Sequence, residues 1–92
     1  MDYCASYRND AWVPNLSLHR QDPVLVSLGQ AIRRVRQEQG ISQEKLALLA
    51  EVDRSYVGRV ERGDNNVAVL TLKRLADALQ VTMMELMAES QL

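Results

Sequence analysis

The sequence predicts an all-α fold, a compact bundle of five short helices around one core, preceded by an irregular arm over residues 1–21. Apolar residues recur at three- and four-residue spacing in five separate segments. Most of these segments follow a residue whose side chain readily caps a helix. Outside the first 21 residues, no alternating apolar and polar run competes as a strand.

Residues 1–21 carry Pro14, several Asn, Ser and Asp residues and no period, which reads as an arm. Tyr3, Tyr7 and Trp12 put more apolar surface there than a plain tail carries, so the arm is expected to dock on the helices or on a partner subunit. Asp22-Pro23 supplies a cap and a first-turn proline for helix one, with Leu25, Leu28, Ile32 and Val35 on its apolar face and Gly40 beyond its end. Ser42 caps helix two, where Ile41 and Leu46 form a hydrophobic staple and Leu46, Ala47, Leu49 and Ala50 supply the apolar side. Asp53 is the expected cap of helix three, Val52 and Val57 its staple, and Gly63 its left-handed end. Val69, Leu72, Leu75, Ala76 and Leu79 define helix four, and Thr82 caps helix five, which carries Met83, Met84, Leu86 and Met87.

With 92 residues the chain allows one domain, read as residues 22–92 behind the arm, and no separate sensor domain. A single cysteine, Cys4, and a single histidine, His19, leave nothing for an internal disulfide, a metal cluster or a histidine-based triad, and both read as inert. No cofactor and no enzymatic activity are expected. No run approaches the roughly 20 apolar residues that cross a bilayer, and no basic region precedes an apolar one at the N-terminus, so the expected compartment is the cytoplasm.

The formal net charge of -1 conceals an uneven distribution. Between Arg33 and Arg62 seven bases (Arg33, Arg34, Arg36, Lys45, Arg54, Arg59, Arg62) outweigh five acids (Glu38, Glu44, Glu51, Asp53, Glu61), giving 7 − 5 = +2. From Leu75 onward three acids (Asp77, Glu85, Glu89) face no base, giving −3. The positive half centres on "SQEKLALLAEVDRSYVGRVERG", residues 42–63, where two short helices are split by a three-residue turn. On the second of them, Val57 and Val60 face inward while Arg54, Ser55, Tyr56, Gly58, Arg59 and Arg62 lie on or near the open side. These are groups suited to base edges and phosphates, and Gly58 is expected to leave a notch through which the helix backbone approaches a groove.

Gln43, Ala47, Val52, Val57, Val60, Glu61 and Gly63 resemble the helix-turn-helix of phage Cro and repressor-type regulators, the XRE family. The resemblance runs from about Leu28 to Met87 and includes "LADALQV". It implies a lambda-repressor-like DNA-binding domain with its helix-turn-helix at about 42–63. Within the family, "DRSYVGRVERGDNN" is most similar to the controller proteins of restriction-modification systems, which are small dimeric transcription factors. The implied roles are base contact for Arg54, Ser55, Tyr56 and Arg59, and DNA-backbone contact for Gln43, Arg62, Asn65 and Asn66. Arg36 and Glu61 match a structural pair joining helix one to helix three.

Three positions depart from the family pattern. Glu51 stands where the turn usually has a left-handed glycine, Ala68 where Ser or Thr commonly caps helix four, and Gln80 where glycine usually precedes Val81. For Tyr56 two readings stay open, base contact or packing over the start of the helix. Arg33 and Arg34 read as surface arginines. Helix five holds more apolar bulk than a small domain can bury, so a homodimer interface is expected at Leu70, Met83, Leu86 and Met87.

The expected function is a homodimeric, sequence-specific regulator of transcription that binds a palindromic operator in double-stranded DNA. A second reading remains open, an antitoxin that binds a toxin protein through the arm and represses its own operon.

Overall fold

The computed structural model describes residues 20–91, so the expected docking of Tyr3, Tyr7 and Trp12 and the reading of Cys4 and His19 lie outside the described residues. Five helices follow one another: α1 (Pro23–Glu38), α2 (Gln43–Ala50), α3 (Arg54–Arg62), α4 (Val69–Ala78) and α5 (Met83–Ser90). Among the described residues there is no strand.

The helix starts follow the capping chemistry. The Asp22 side chain accepts from the Val24 N–H, and the Ser42 hydroxyl accepts from the Lys45 N–H at 3.0 Å. Thr82 and Glu85 form a reciprocal capping box, each side chain accepting from the other's backbone N–H at 2.9 Å. Asp53 departs from expectation. It occupies the cap position of α3 with extended backbone, but its side chain makes no capping hydrogen bond. Ala68, which has no side-chain acceptor, leaves α4 similarly uncapped.

The apolar faces close on one core. Leu28, Ala31 and Ile32 of α1 meet Leu46, Ala47 and Ala50 of α2, Val57 and Val60 of α3, and Leu72, Leu75 and Ala76 of α4, with Leu79 and Leu86. Each fully buried Leu, Ile or Val contributes roughly 1.5–3 kcal/mol relative to exposure, which is why these short, partly uncapped helices hold. Ile41 and Val52, the outer halves of the two staples, pack against this core. Helix α1 lies against both α3 and α5, while α2 lies against α3 and α4. The α1–α3 approach depends on Gly29, where a Cβ would stand 2.6 Å from the Glu61 carbonyl oxygen.

Three surface assignments change. Leu86 is wholly buried, so it belongs to the protomer core and is unavailable as a dimer contact. Met83 is partly buried against the same core. Leu49, expected on the apolar side of α2, is half exposed beside an exposed Leu48. Besides Val24 near the start of α1, the other exposed large apolar residues are Leu70 (79% exposed), Met84 (80%), Val69 (67%) and Met87 (39%), on α4 and α5.

The segment before α1 is bonded to the end of α3. Gln21 donates its backbone N–H to the Gly63 carbonyl at 2.6 Å and its amide to the Arg62 carbonyl at 2.8 Å, joining the chain before α1 to the end of α3. At the opposite end, Arg34 binds Glu89, which fastens α5 to α1 rather than leaving Arg34 a free surface cation.

Two carboxylates, the exposed Glu85 and the partly buried Asp64, tie this frame to pH. Hydrogen bonds from the Thr82 backbone N–H and then its hydroxyl hold Glu85 below the ordinary carboxylate range, and hydrogen bonds from Gln21 and then Arg62 do the same for Asp64. A depressed folded-state value means the stabilisation is complete above the unfolded value, about pH 4, and is lost as pH falls through the lower folded value. A melting-temperature series from neutral to acid pH should therefore fall below about pH 4. The fall should be shallower in Glu85→Gln, and an identical profile for that variant would remove the capping box from the account.

Candidate nucleic-acid interface

The turn between α2 and α3 is built without glycine. Glu51 ends α2 in the left-handed region, φ 60° and ψ 46°, a conformation costing a non-glycine residue roughly 1–2 kcal/mol. Its N–H bonds Leu48, and the Val52 N–H reaches back to Ala47 at 3.0 Å, closing the end of the helix. Arg74 of α4 adds the compensation. Its Nε donates to the Ala50 carbonyl at 3.1 Å and its terminal nitrogen to the Glu51 carbonyl at 2.6 Å, so a cation caps the negative end of α2. Gln80 repeats the left-handed substitution after α4, φ 60°.

Beneath α3 lies a buried ion pair. Arg36 Nε donates to Glu61 Oε2 at 2.7 Å and its terminal nitrogen donates to Oε1 at 3.1 Å, a two-pronged contact with both side chains nearly out of solvent. Arg36 also donates to the Ile41 carbonyl, and Gln43 donates its amide to Glu61 Oε1 at 3.0 Å. One carboxylate thus fixes α1, the start of α2 and α3 together. The Gln43 amide oxygen and the N-terminus of α2 remain beside α3.

On the outer side, Arg54, Ser55 and Arg62 are exposed and Arg59 is half-buried. The Tyr56 ring packs against the core, and its phenol sits beside Thr71; burial pushes its hydroxyl above the ordinary tyrosine value. The Arg59 guanidinium lies 5.8 Å from the centre of that ring. The ring thus serves as a platform for Arg59. Asn65, with its amide oriented to satisfy both neighbours, accepts from Arg59 Nε at 3.3 Å and donates to the Asp64 carbonyl at 3.2 Å. Asn66 is exposed.

Gly58 is not an open notch. A Cβ there would lie 3.3 Å from an Arg62 guanidinium nitrogen and 3.8 Å from the Gln43 amide oxygen, so the missing side chain makes room for Arg62 to fold back over the helix. Arg62 Nε also pairs with Asp64 at 3.1 Å. Sequence reasoning alone does not single out Arg74, Gln21, Arg20 or Arg34 as parts of this frame. Their partners lie more than 20 residues away and no local pattern marks them, although the spacing of four between Gly58 and Arg62 is a visible signal.

A family model described as helix-turn-helix matches residues 32–86. The chain belongs to the helix-turn-helix family. It is a DNA-binding transcriptional regulator of the XRE type, and the family is one of regulators rather than enzymes. The structure of the restriction-modification controller protein C.AhdI from Aeromonas hydrophila superposes with a TM-score of 0.67 at 50% identity, covering 67% of this chain and 94% of that one. The control protein C.SmaI of Serratia marcescens is 37% identical over 65 residues, 71% of this chain and 77% of that protein. The clp gene regulator ClgR from Corynebacterium glutamicum superposes with a TM-score of 0.73 at 26% identity, covering 74% and 87% of the two chains. Both α2 and α3 lie within the matched residues, joined by the turn at Glu51–Asp53. Among the described residues no helix is long and apolar enough to cross a membrane.

Proposed function

We propose that two copies of the chain bind a palindromic operator in double-stranded DNA, each presenting α3 to one of two successive major grooves about 34 Å apart. The observation that carries this reading is the polarity of α3. Val57, Val60 and Glu61 lock its inner side into the domain, while Arg54, Ser55 and Arg62 stand outside with Arg59 propped on Tyr56. Arg54, Ser55 and Arg59 read bases; Gln43, Arg62, Asn65 and Asn66 hold phosphates and set register. Leu70, Met84 and Met87 supply the apolar surface for the second copy, an assignment supported by their exposure. The likeness to C.AhdI and C.SmaI favours a controller of a restriction-modification system that also acts on its own operon.

The contact scheme is tested by two variants measured against an operator and its single-base changes. Arg54→Ala is expected to lose about 1–3 kcal/mol of discrimination at one base pair per half-site. Gln43→Ala is expected to weaken all sequences alike. Wild-type affinity and selectivity in both variants would show that α3 is not the reading helix. Binding that appears only with a co-purifying small protein would favour the antitoxin reading instead.

A further inference from the structure

The strongest unassigned feature of the DNA-facing side is the segment that precedes α1. Gln21 sits in the left-handed region, φ 64°, a conformation that residues other than glycine rarely adopt. Three hydrogen bonds hold it there: its backbone N–H to the Gly63 carbonyl, its amide to the Arg62 carbonyl, and the same amide to Asp64 Oδ1. All three acceptors belong to the end of the recognition helix and the loop after it, more than 40 residues along the chain. The neighbouring Arg20 is thereby brought to that loop, its Nε 3.6 Å from Asp64 Oδ1, while Arg62 Nε stands 3.1 Å from Oδ2 of the same carboxylate.

We infer that Arg20 is a further DNA-backbone contact, held by Gln21 beside Arg62 so that the two guanidinium groups form one phosphate clamp at the end of the recognition helix. The inference rests on the reading of α3 and its following loop as the DNA-facing side. Two guanidinium groups on one carboxylate leave a local charge of +2 − 1 = +1. Asp64 is near the Nε edge of each, whereas a guanidinium has five N–H donors, and the Arg20 and Arg62 side chains are 54% and 63% exposed. Each therefore keeps donors for a phosphate oxygen while Asp64 limits the freedom of both. That reduces the entropy lost when the clamp closes on DNA. The strained Gln21 has a use on this account, because releasing it would let Arg20 swing away from the loop.

The test is the salt dependence of binding by the full-length chain, measured on a random-sequence duplex pool and on any operator obtained by selection. Removing one phosphate neutralisation lowers the slope of log affinity against log salt by about 0.9. Arg20→Ala is expected to reduce the slope by about that amount and to weaken binding roughly two- to fivefold, with base preference unchanged. Arg20→Lys, which keeps the charge, should retain most of the slope. Gln21→Ala, which keeps Arg20 but removes its side-chain anchor, should lose part of the slope with little change in melting temperature. Arg62→Ala is the control for the underlying reading. A wild-type slope in Arg20→Ala beside a reduced slope in Arg62→Ala overturns the clamp and leaves the interface intact. Wild-type slopes in both variants would displace the interface itself.

Discussion

Replacing Glu61 by alanine is expected to lower the melting temperature by about 12 °C or more. Removing one partner of a buried pair costs roughly 3–5 kcal/mol, and each kcal/mol moves a domain of this size by about 4–8 °C. The cost arises because Arg36 would remain buried with only the Ile41 carbonyl to accept from it, and because Gln43 would lose its acceptor at the same time. The magnitude reflects an uncompensated charge more than the net strength of the pair, since an apolar pair of similar volume often does as well. A double variant, Arg36→Met with Glu61→Leu, should therefore recover much of the lost stability. DNA binding should not recover with it, because the Gln43 amide would still lack the carboxylate that orients it. Thermal melts and binding isotherms on the three proteins separate these effects. Equal recovery of both would show that Glu61 supports the fold and has no part in presenting Gln43.

Gly29→Ala is expected to destabilise the domain by about 1–3 kcal/mol despite the better helix propensity of alanine. Glycine inside α1 is itself unfavourable by roughly 1 kcal/mol relative to alanine, so an unconstrained site would gain from the change. Here the added Cβ would meet the backbone of α3, with the Glu61 carbonyl oxygen 2.6 Å away and its carbonyl carbon 2.8 Å away. Backbone cannot rotate aside as a long side chain would. Either α1 and α3 separate, which loosens the Arg36–Glu61 contact, or α3 tilts and moves Arg54 and Arg59. Loss of DNA affinity should accompany the loss of stability. A rise in melting temperature of about 0.5–1 kcal/mol equivalent would mean that the two helices do not depend on this close approach.

The parts of this molecule that can be read from the sequence are those determined within one or two helical turns. Asp22, Ser42 and Thr82 cap the helices they precede, and the staples Ile41 with Leu46 and Val52 with Val57 join the core as their spacing requires. Leu86 is misplaced at a dimer interface when the apolar bulk of α5 is counted without being divided between faces. Met83 and Leu86 lie three residues apart on the inner face, and Met84 and Met87 lie three apart on the outer one. That signal is present in the spacing. Asp53 shows the opposite limit, a residue type that favours capping but makes no such bond here.

What the sequence does not show depends on contacts between distant segments. Arg74 caps the carbonyls of Ala50 and Glu51 from another helix, so the absence of glycine from the turn has a compensation that no local pattern reveals. The bonds of Gln21 to Arg62, Gly63 and Asp64, which set it against the end of α3, are of the same kind. The same is true of Tyr56, whose packing depends on the position of α4 and Thr71. Residue type and helical spacing identify the outer side of α3. Which members of it are free to read DNA, and which support their neighbours, depends on the packing beneath.

If α3 of each copy reads one half of a two-fold symmetric DNA sequence, selection from a pool of random duplexes will recover that sequence. The full-length protein would be used at a fixed physiological salt concentration, because phosphate contacts alone give binding that falls steeply with salt. The predicted result is enrichment of a palindrome whose half-sites are centred one helical turn apart, about 10 base pairs, with Arg54→Ala altering the enriched base at one position in each half. Binding without any enriched sequence, or enrichment of a single asymmetric half-site, would contradict the account.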